Sequence, residues 1–185
     1  PTKLKEEIGK IVGRLRKNEP TISWESPEKL HITIAFFPYL GTQHLAFTQS
    51  TLDFLANTHK TFNLKVTNLA YFYKRHENSI VFLGIEDPDK KLRAFYNNLK
   101  EKLGEEKLFL KERLDPYLTI GRLKRRRYIH ETKEILADTT RNEITLNQEF
   151  EVASIDLYES LFRRDENPSQ YRLVNRFPFT PSAAD

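Results

Sequence analysis

No cysteine and no methionine occur among the 185 residues, glycine occurs 6 times, and no apolar run approaches the ~20 residues of a membrane span. The missing cysteine excludes disulfides, thiolate metal sites and a cysteine nucleophile. The missing methionine extends to the initiator, so Pro1 reads as a processed or trimmed start. No charged segment followed by an apolar stretch opens the chain, and the expectation is therefore a cytoplasmic protein. What is present is a globular composition: 38% apolar, 12% aromatic and 30% charged residues, enough for one core and too many apolar groups for a disordered chain.

A net charge of +4, from 30 Lys+Arg against 26 Asp+Glu, does not define a partner by itself. Its distribution says more. Lys124-Arg125-Arg126-Arg127, with Arg122 two residues earlier, is either a solvated basic loop or a path for phosphates.

Apolar periodicity predicts a helix over 3–16 (Leu4, Ile8, Ile11, Val12, Leu15), an extended piece at 21–24 and a turn at 26–29. Alternation over 31–37 predicts a strand with His31, Thr33 and Ala35 on one face. A helix over 44–58, strands over 61–73 and 79–85, and a helix from Asp87-Pro88 to Gly104 follow. Residues 117–123 read as a strand with Tyr117, Thr119 and Gly121 on one face. A helix near 129–138 and strands over 149–158 and 171–177, joined by a polar loop, complete the chain. Interleaved helices and strands with no low-complexity linker point to a single α+β domain over 1–185.

Two segments repeat one pattern. His31-Ile32-Thr33-Ile34 and Tyr117-Leu118-Thr119-Ile120 each place a proton-bearing side chain and a hydroxyl two residues apart on a strand face. Each follows a turn, Ser26-Pro27-Glu28-Lys29-Leu30 or Leu114-Asp115-Pro116, so the repeat has the form of two strands related by a pseudo-two-fold axis. His130-Glu131-Thr132 matches the triplet too, but in a polar, helix-prone stretch whose side chains do not share a strand face.

With its flanks, Trp24 to Phe37 resembles the first His-x-Thr motif of the 2H phosphoesterase superfamily, and Asp115 to Lys124 resembles the second. The branch most similar is that of the bacterial and archaeal RNA 2′,3′-cyclic phosphodiesterases, historically called 2′-5′ RNA ligases. Phe150 to Ser160 is similar to that branch's closing strand. The resemblance implies an α+β fold of two pseudo-symmetric lobes, each with an antiparallel sheet and helices outside, facing a central cleft. It implies phosphodiester chemistry on RNA ends or small nucleotides, without metal, cofactor or membrane, by a monomer.

In that family two histidines flank the scissile phosphate, one activating water or a hydroxyl and the other protonating the leaving oxygen. Imidazole suits both tasks because it titrates near neutrality, at about 6.5. The resemblance assigns His31, Thr33, Tyr117 and Thr119 to catalysis and Arg122 to the substrate phosphate, and Lys124, in the basic run, is a further phosphate candidate by its charge. Phe37 and Tyr158 are candidates for base stacking. There are two departures. The chain starts almost at its first helix, where the family begins with a strand, and Tyr117 stands in place of the second histidine. A phenol, with an ordinary pKa near 10, donates a hydrogen bond at neutral pH and is a poor base. A reading from a different class is therefore kept beside the enzyme: an RNA-end or nucleotide-binding module that holds phosphate without turning it over.

Overall fold

The computed structural model describes residues 2–73, 79–108, 110, 113–123, 134–138, 144–161 and 170–182. The architecture is α+β with antiparallel sheets, and the chain divides into two compact units. One comprises Pro1–Ile34, Leu64–Pro88 and Asp115–Phe150, and the other Ala35–Asn63, Asp89–Leu114 and Glu151–Asp185.

The first unit opens with helix α1 (Thr2–Asn18), whose buried residues Leu4, Ile8, Ile11, Val12 and Leu15 are the expected stripe. Burying each such side chain contributes roughly 1.5–3 kcal/mol. Strands β1 (Ser23–Trp24), β2 (Phe62–Phe72), β3 (Ser79–Glu86), β4 (Tyr117–Leu123) and β5 (Thr145–Val152) form one sheet in the order β1-β4-β3-β2-β5. The α1 stripe joins Val66, Leu69, Val81, Leu83, Leu118, Ile120 and Leu123 in a single core. Leu136, in the helical piece at 134–138, is fully buried in the same cluster.

The second unit holds helices α2 (Thr42–Thr58) and α3 (Lys91–Glu105) and the hairpin of β6 (Ser154–Leu161) with β7 (Gln170–Pro178). Phe95 and Phe179 meet edge to face at 5.3 Å, and Phe62 packs on Phe179 at 5.7 Å. His59 caps α2 in this cluster, its Nδ1–H donating to the Leu55 carbonyl at 2.8 Å and its ring standing edge-on to Phe95. That is a structural role.

Three sequence expectations are corrected. Residues 31–37 do not form a strand; the segment makes one isolated antiparallel bridge, Ile32 with Leu118. In that register Ile34 falls opposite Pro116, which has no N–H to give to a ladder, so pairing stops there. The strand expected over 149–158 is two strands divided at Ala153, the first in the five-stranded sheet and the second in the hairpin. Unbroken apolar alternation carries no sign of a change of sheet. Finally, Gly121 does not share a face with Tyr117 and Thr119, because a bulge falls between them.

Candidate active site

The first proton-bearing side chain is placed by a turn. Pro27 opens a single 3₁₀ turn, Pro27–Lys29, closed by the Lys29 N–H donating to the Ser26 carbonyl at 3.0 Å. Glu28's carboxyl is drawn below the usual carboxylate range by its own backbone N–H and then by the Ser26 hydroxyl. The turn aims the Lys29 carbonyl back at the next ring, where it lies 2.7 Å from His31 Nδ1. A carbonyl only accepts, so it fixes the proton of the neutral ring on Nδ1, and the basic lone pair sits on Nε2.

The bridge between Ile32 and Leu118 aligns the two motifs. Ile32 and Leu118 pack on the core side. Counted outward from that bridge, His31 falls level with Thr119 and Thr33 with Tyr117, and all four lie outside the core cluster. His31 and Thr33 are exposed, and Tyr117 and Thr119 are half-buried. All four lie in the first unit.

Arg122 joins them through the bulge. Phe82 pairs with Thr119 and Val81 with Gly121, so one extra residue is accommodated on β4 between these pairs. The alternation is re-phased: Ile120 and Leu123 both enter the core, and Arg122, opposite Ser23, stands away from it with Tyr117 and Thr119. Gly121 is required there. A Cβ on it would come 2.8 Å from Ile22 Cγ2 and 2.9 Å from Trp24 Cε3.

Tyr117 is walled by aromatic rings, Phe82 at 5.3 Å and Phe72 edge-on at 5.6 Å. Phe72 is itself stacked on Phe82 at 4.4 Å and 42% exposed. Gly84, opposite Tyr117, leaves space that Thr67 Oγ1 fills, 2.5 Å from where a Cβ would stand. The sequence reading missed these neighbours. It also missed Glu25, whose Oε1 accepts from Arg122 Nε at 3.0 Å across 97 positions of chain. No pattern of spacing signals such a pair.

The other candidates are placed differently. Phe37 (half-buried) and Tyr158 belong to the second unit. Tyr158 is 44% exposed, stands edge-on to Tyr171 and donates its hydroxyl to Asp156 Oδ2 at 3.3 Å. Burial, and then the Asp156 charge, push the Tyr158 phenol above its ordinary value. Lys124, the rest of the basic run to Arg127, and the triplet at His130 lie outside the described residues, as does His76. Among the described residues no cluster of three or more His, Asp or Glu side chains could hold a metal ion, and no helix is long and apolar enough to cross a membrane.

An imidazole and a hydroxyl bridged onto a strand that carries a phenol, a second hydroxyl and a guanidinium are groups suited to proton transfer at an oxyanion. The model of the 2′-5′ RNA ligase superfamily matches residues 3–161, and the chain belongs to that superfamily of 2H phosphoesterases.

An RNA 2′,3′-cyclic phosphodiesterase of Thermotoga maritima is 26% identical over 121 residues, 65% of this chain and 64% of that protein. The chain thus spans just under two thirds of that relative's length. The enzyme of the same name from Methanothermobacter thermautotrophicus is 23% identical over 167 residues, 88% of this chain and 84% of the relative. These relatives and the family support a hydrolase. Among solved structures, TT0787 of Thermus thermophilus matches with a TM-score of 0.74 at 16% identity, covering 98% of this chain and 94% of that one. Escherichia coli LigT, complexed with 3′-AMP, matches with a TM-score of 0.68 at 18% identity, covering 94% and 92%. LigT has also been crystallised with ATP, NADP+ and phosphate. At these identities the structures speak for the fold.

Proposed function

We propose that this chain is a metal-independent RNA 2′,3′-cyclic phosphodiesterase that yields a 2′-phosphate end, working as one domain and one monomer in the cytoplasm, with its rate held down by Tyr117. The observation that supports the reading is the Ile32–Leu118 bridge, which brings the segment of His31 and Thr33 beside the strand of Tyr117 and Thr119. The activity named for the two relatives supports the same substrate.

In the proposed step His31 Nε2 takes a proton from water as the water oxygen bonds to phosphorus. The P–O3′ bond breaks, and the Tyr117 hydroxyl gives its proton to the departing O3′. Solvent then returns a proton from the imidazolium to the phenolate. Thr33 and Thr119 donate to the non-bridging oxygens, and Arg122 and Lys124 offset the charge that builds on them. Ligation is the same exchange with an RNA 5′-hydroxyl in place of water, and leaves a 2′-5′ bond.

The phenol is the weak part. Losing one of two matched acid–base groups costs typically ~10²–10⁴-fold in rate. Tyr117 is also the one observation that favours a second reading, a module that binds RNA ends or nucleotides without turnover. Both are tested on an RNA ending in a 2′,3′-cyclic phosphate, with EDTA present, scored for the 2′-phosphate product. The expected results are slow turnover by the parent, loss in His31→Ala and gain in Tyr117→His. A parent and Tyr117→His variant that both bind and never turn over would establish the module instead. Abolition of robust activity by Tyr117→Phe would make the phenol a full acid and end the idea of a weakened site.

A further inference from the structure

We propose that Glu25 is a positioning residue for Arg122: it holds the guanidinium by Nε and so presents both Nη groups to the phosphate. The inference rests on the phosphodiester reading above and adds a residue that neither the motifs nor the resemblance point to.

Glu25 is set on a rigid base. Its backbone N–H donates to the Ile120 carbonyl at 2.9 Å. The preceding Trp24 packs over Gly121 and donates its indole N–H to the Glu19 carbonyl at 3.0 Å. The carboxylate therefore starts from a backbone locked to β4 on either side of the bulge, and its side chain is only 15% exposed. Arg122 starts from β4 itself, opposite Ser23. The pair joins two neighbouring extended segments across the sheet and not two mobile loops.

The chemistry of the contact is specific. A guanidinium has five N–H donors in one plane, one on Nε and four on the Nη groups. Glu25 uses the Nε donor. Neither Nη group bonds another described residue, and the arginine side chain is 38% exposed. An arginine gripped at Nε loses rotamer freedom before its ligand arrives, while the fork that matches two phosphate oxygens is kept for it. The charge of the carboxylate works in the other direction, since it offsets part of the positive field that a phosphate would feel. Positioning and masking thus predict opposite signs when Glu25 is removed.

The test uses the full chain and four variants: Arg122→Ala, Glu25→Ala, Glu25→Gln and the double Glu25→Ala/Arg122→Ala. Thermal unfolding first establishes that each is folded. On the cyclic-phosphate RNA, Glu25→Ala is expected to lose roughly tenfold in kcat/KM. Glu25→Gln, whose amide oxygen still accepts from Nε, is expected to keep most of the rate. The double variant should fall no lower than Arg122→Ala alone, because Glu25 acts only through that arginine. A gain in Glu25→Ala, or losses that multiply in the double variant, would overturn the proposal.

A second readout needs no turnover. The Nε–Hε resonance of Arg122, assigned by its absence in Arg122→Ala, is followed by NMR during titration with inorganic phosphate. Expected are slow solvent exchange in the parent, a shift on adding phosphate, and weaker phosphate binding with fast exchange in Glu25→Ala. An inert parent that still gives this pattern would sink the hydrolase reading and leave the positioning role standing. Unchanged exchange and phosphate binding in Glu25→Ala would remove the positioning role whatever the activity.

Discussion

Arg122–Glu25 in the first unit and Arg176–Asp156 in the second are both arginine–carboxylate pairs held across neighbouring extended segments, and they are built to different ends. Asp156 faces Arg176 in the β6–β7 register and takes it in a fork, Nε to Oδ1 at 2.8 Å and Nη2 to Oδ2 at 2.7 Å. The Ser154 and Tyr158 hydroxyls donate to the same carboxylate, each at 3.3 Å. Arg176 is held as a protonated cation above its ordinary range by that hydrogen bond and charge, and Asp156 is held below the usual carboxylate range mainly by the Arg176 hydrogen bond. The fork is used internally, so the pair fastens a hairpin. In the Glu25 pair one oxygen meets one nitrogen, and the fork is left over. How many donors an arginine has spent tells more about its task than whether it has a carboxylate partner.

The contrast is broken most directly by deleting each arginine. Arg122→Ala should cut kcat/KM on the cyclic-phosphate RNA about 10²–10³-fold, while Arg176→Ala should stay within about twofold of the parent. Equal losses in the two variants would erase the distinction. Next in size is Gly121→Ala. The new methyl meets Ile22 and Trp24 at 2.8 and 2.9 Å, so denaturant unfolding should show a loss of about 1–3 kcal/mol. The activity should fall with it, because Glu25 follows directly on β1.

Asp156→Asn sharpens the other side. A carboxyl with a lowered folded pKa contributes stability that is present above its unfolded value, about 3.9, and is lost as the pH falls through the depressed folded value. The parent should therefore be more stable than Asp156→Asn near neutrality, by at most about 1 kcal/mol for a pair this close to solvent. The two stability curves should converge below about pH 4. A gap that does not narrow as the pH falls below about 4 would mean that the asparagine perturbs packing and not charge. Smallest is Tyr158→Phe, which removes one of four donors to Asp156 and should cost about 0.5 kcal/mol by thermal unfolding without touching the rate.

Much of this was legible in the chain itself, for physical reasons that can be named. The α1 stripe from Leu4 to Leu15 shows in the sequence because a helix buries one face at a fixed period. His31, Thr33, Tyr117 and Thr119 are candidates because the flanks of the two triplets resemble a family motif, and the Ile32–Leu118 bridge brings the two segments side by side. What stayed hidden depends on partners distant in sequence. Pro116 ends the pairing of residues 31–37 from 82 positions beyond Ile34. Ala153 lets one alternating run serve two sheets. Glu25 finds Arg122 only when β1 is laid against β4.

The bulge between Thr119 and Arg122 has a consequence for anyone who edits this segment. In an unbroken strand, residues three apart lie on opposite faces, so the odd spacing of threonine and arginine works only while one residue is out of step. Removing Ile120 would restore regular alternation with the arginine still on the hydroxyl face and Leu123 still inward, at the loss of one fully buried core side chain. Adding one residue would send the guanidinium to the core face and turn Leu123 out of the core. The bulge thus makes the segment sensitive to an added residue and to a side chain at Gly121 alike: an insertion exchanges the two faces, and a Cβ meets Ile22 and Trp24.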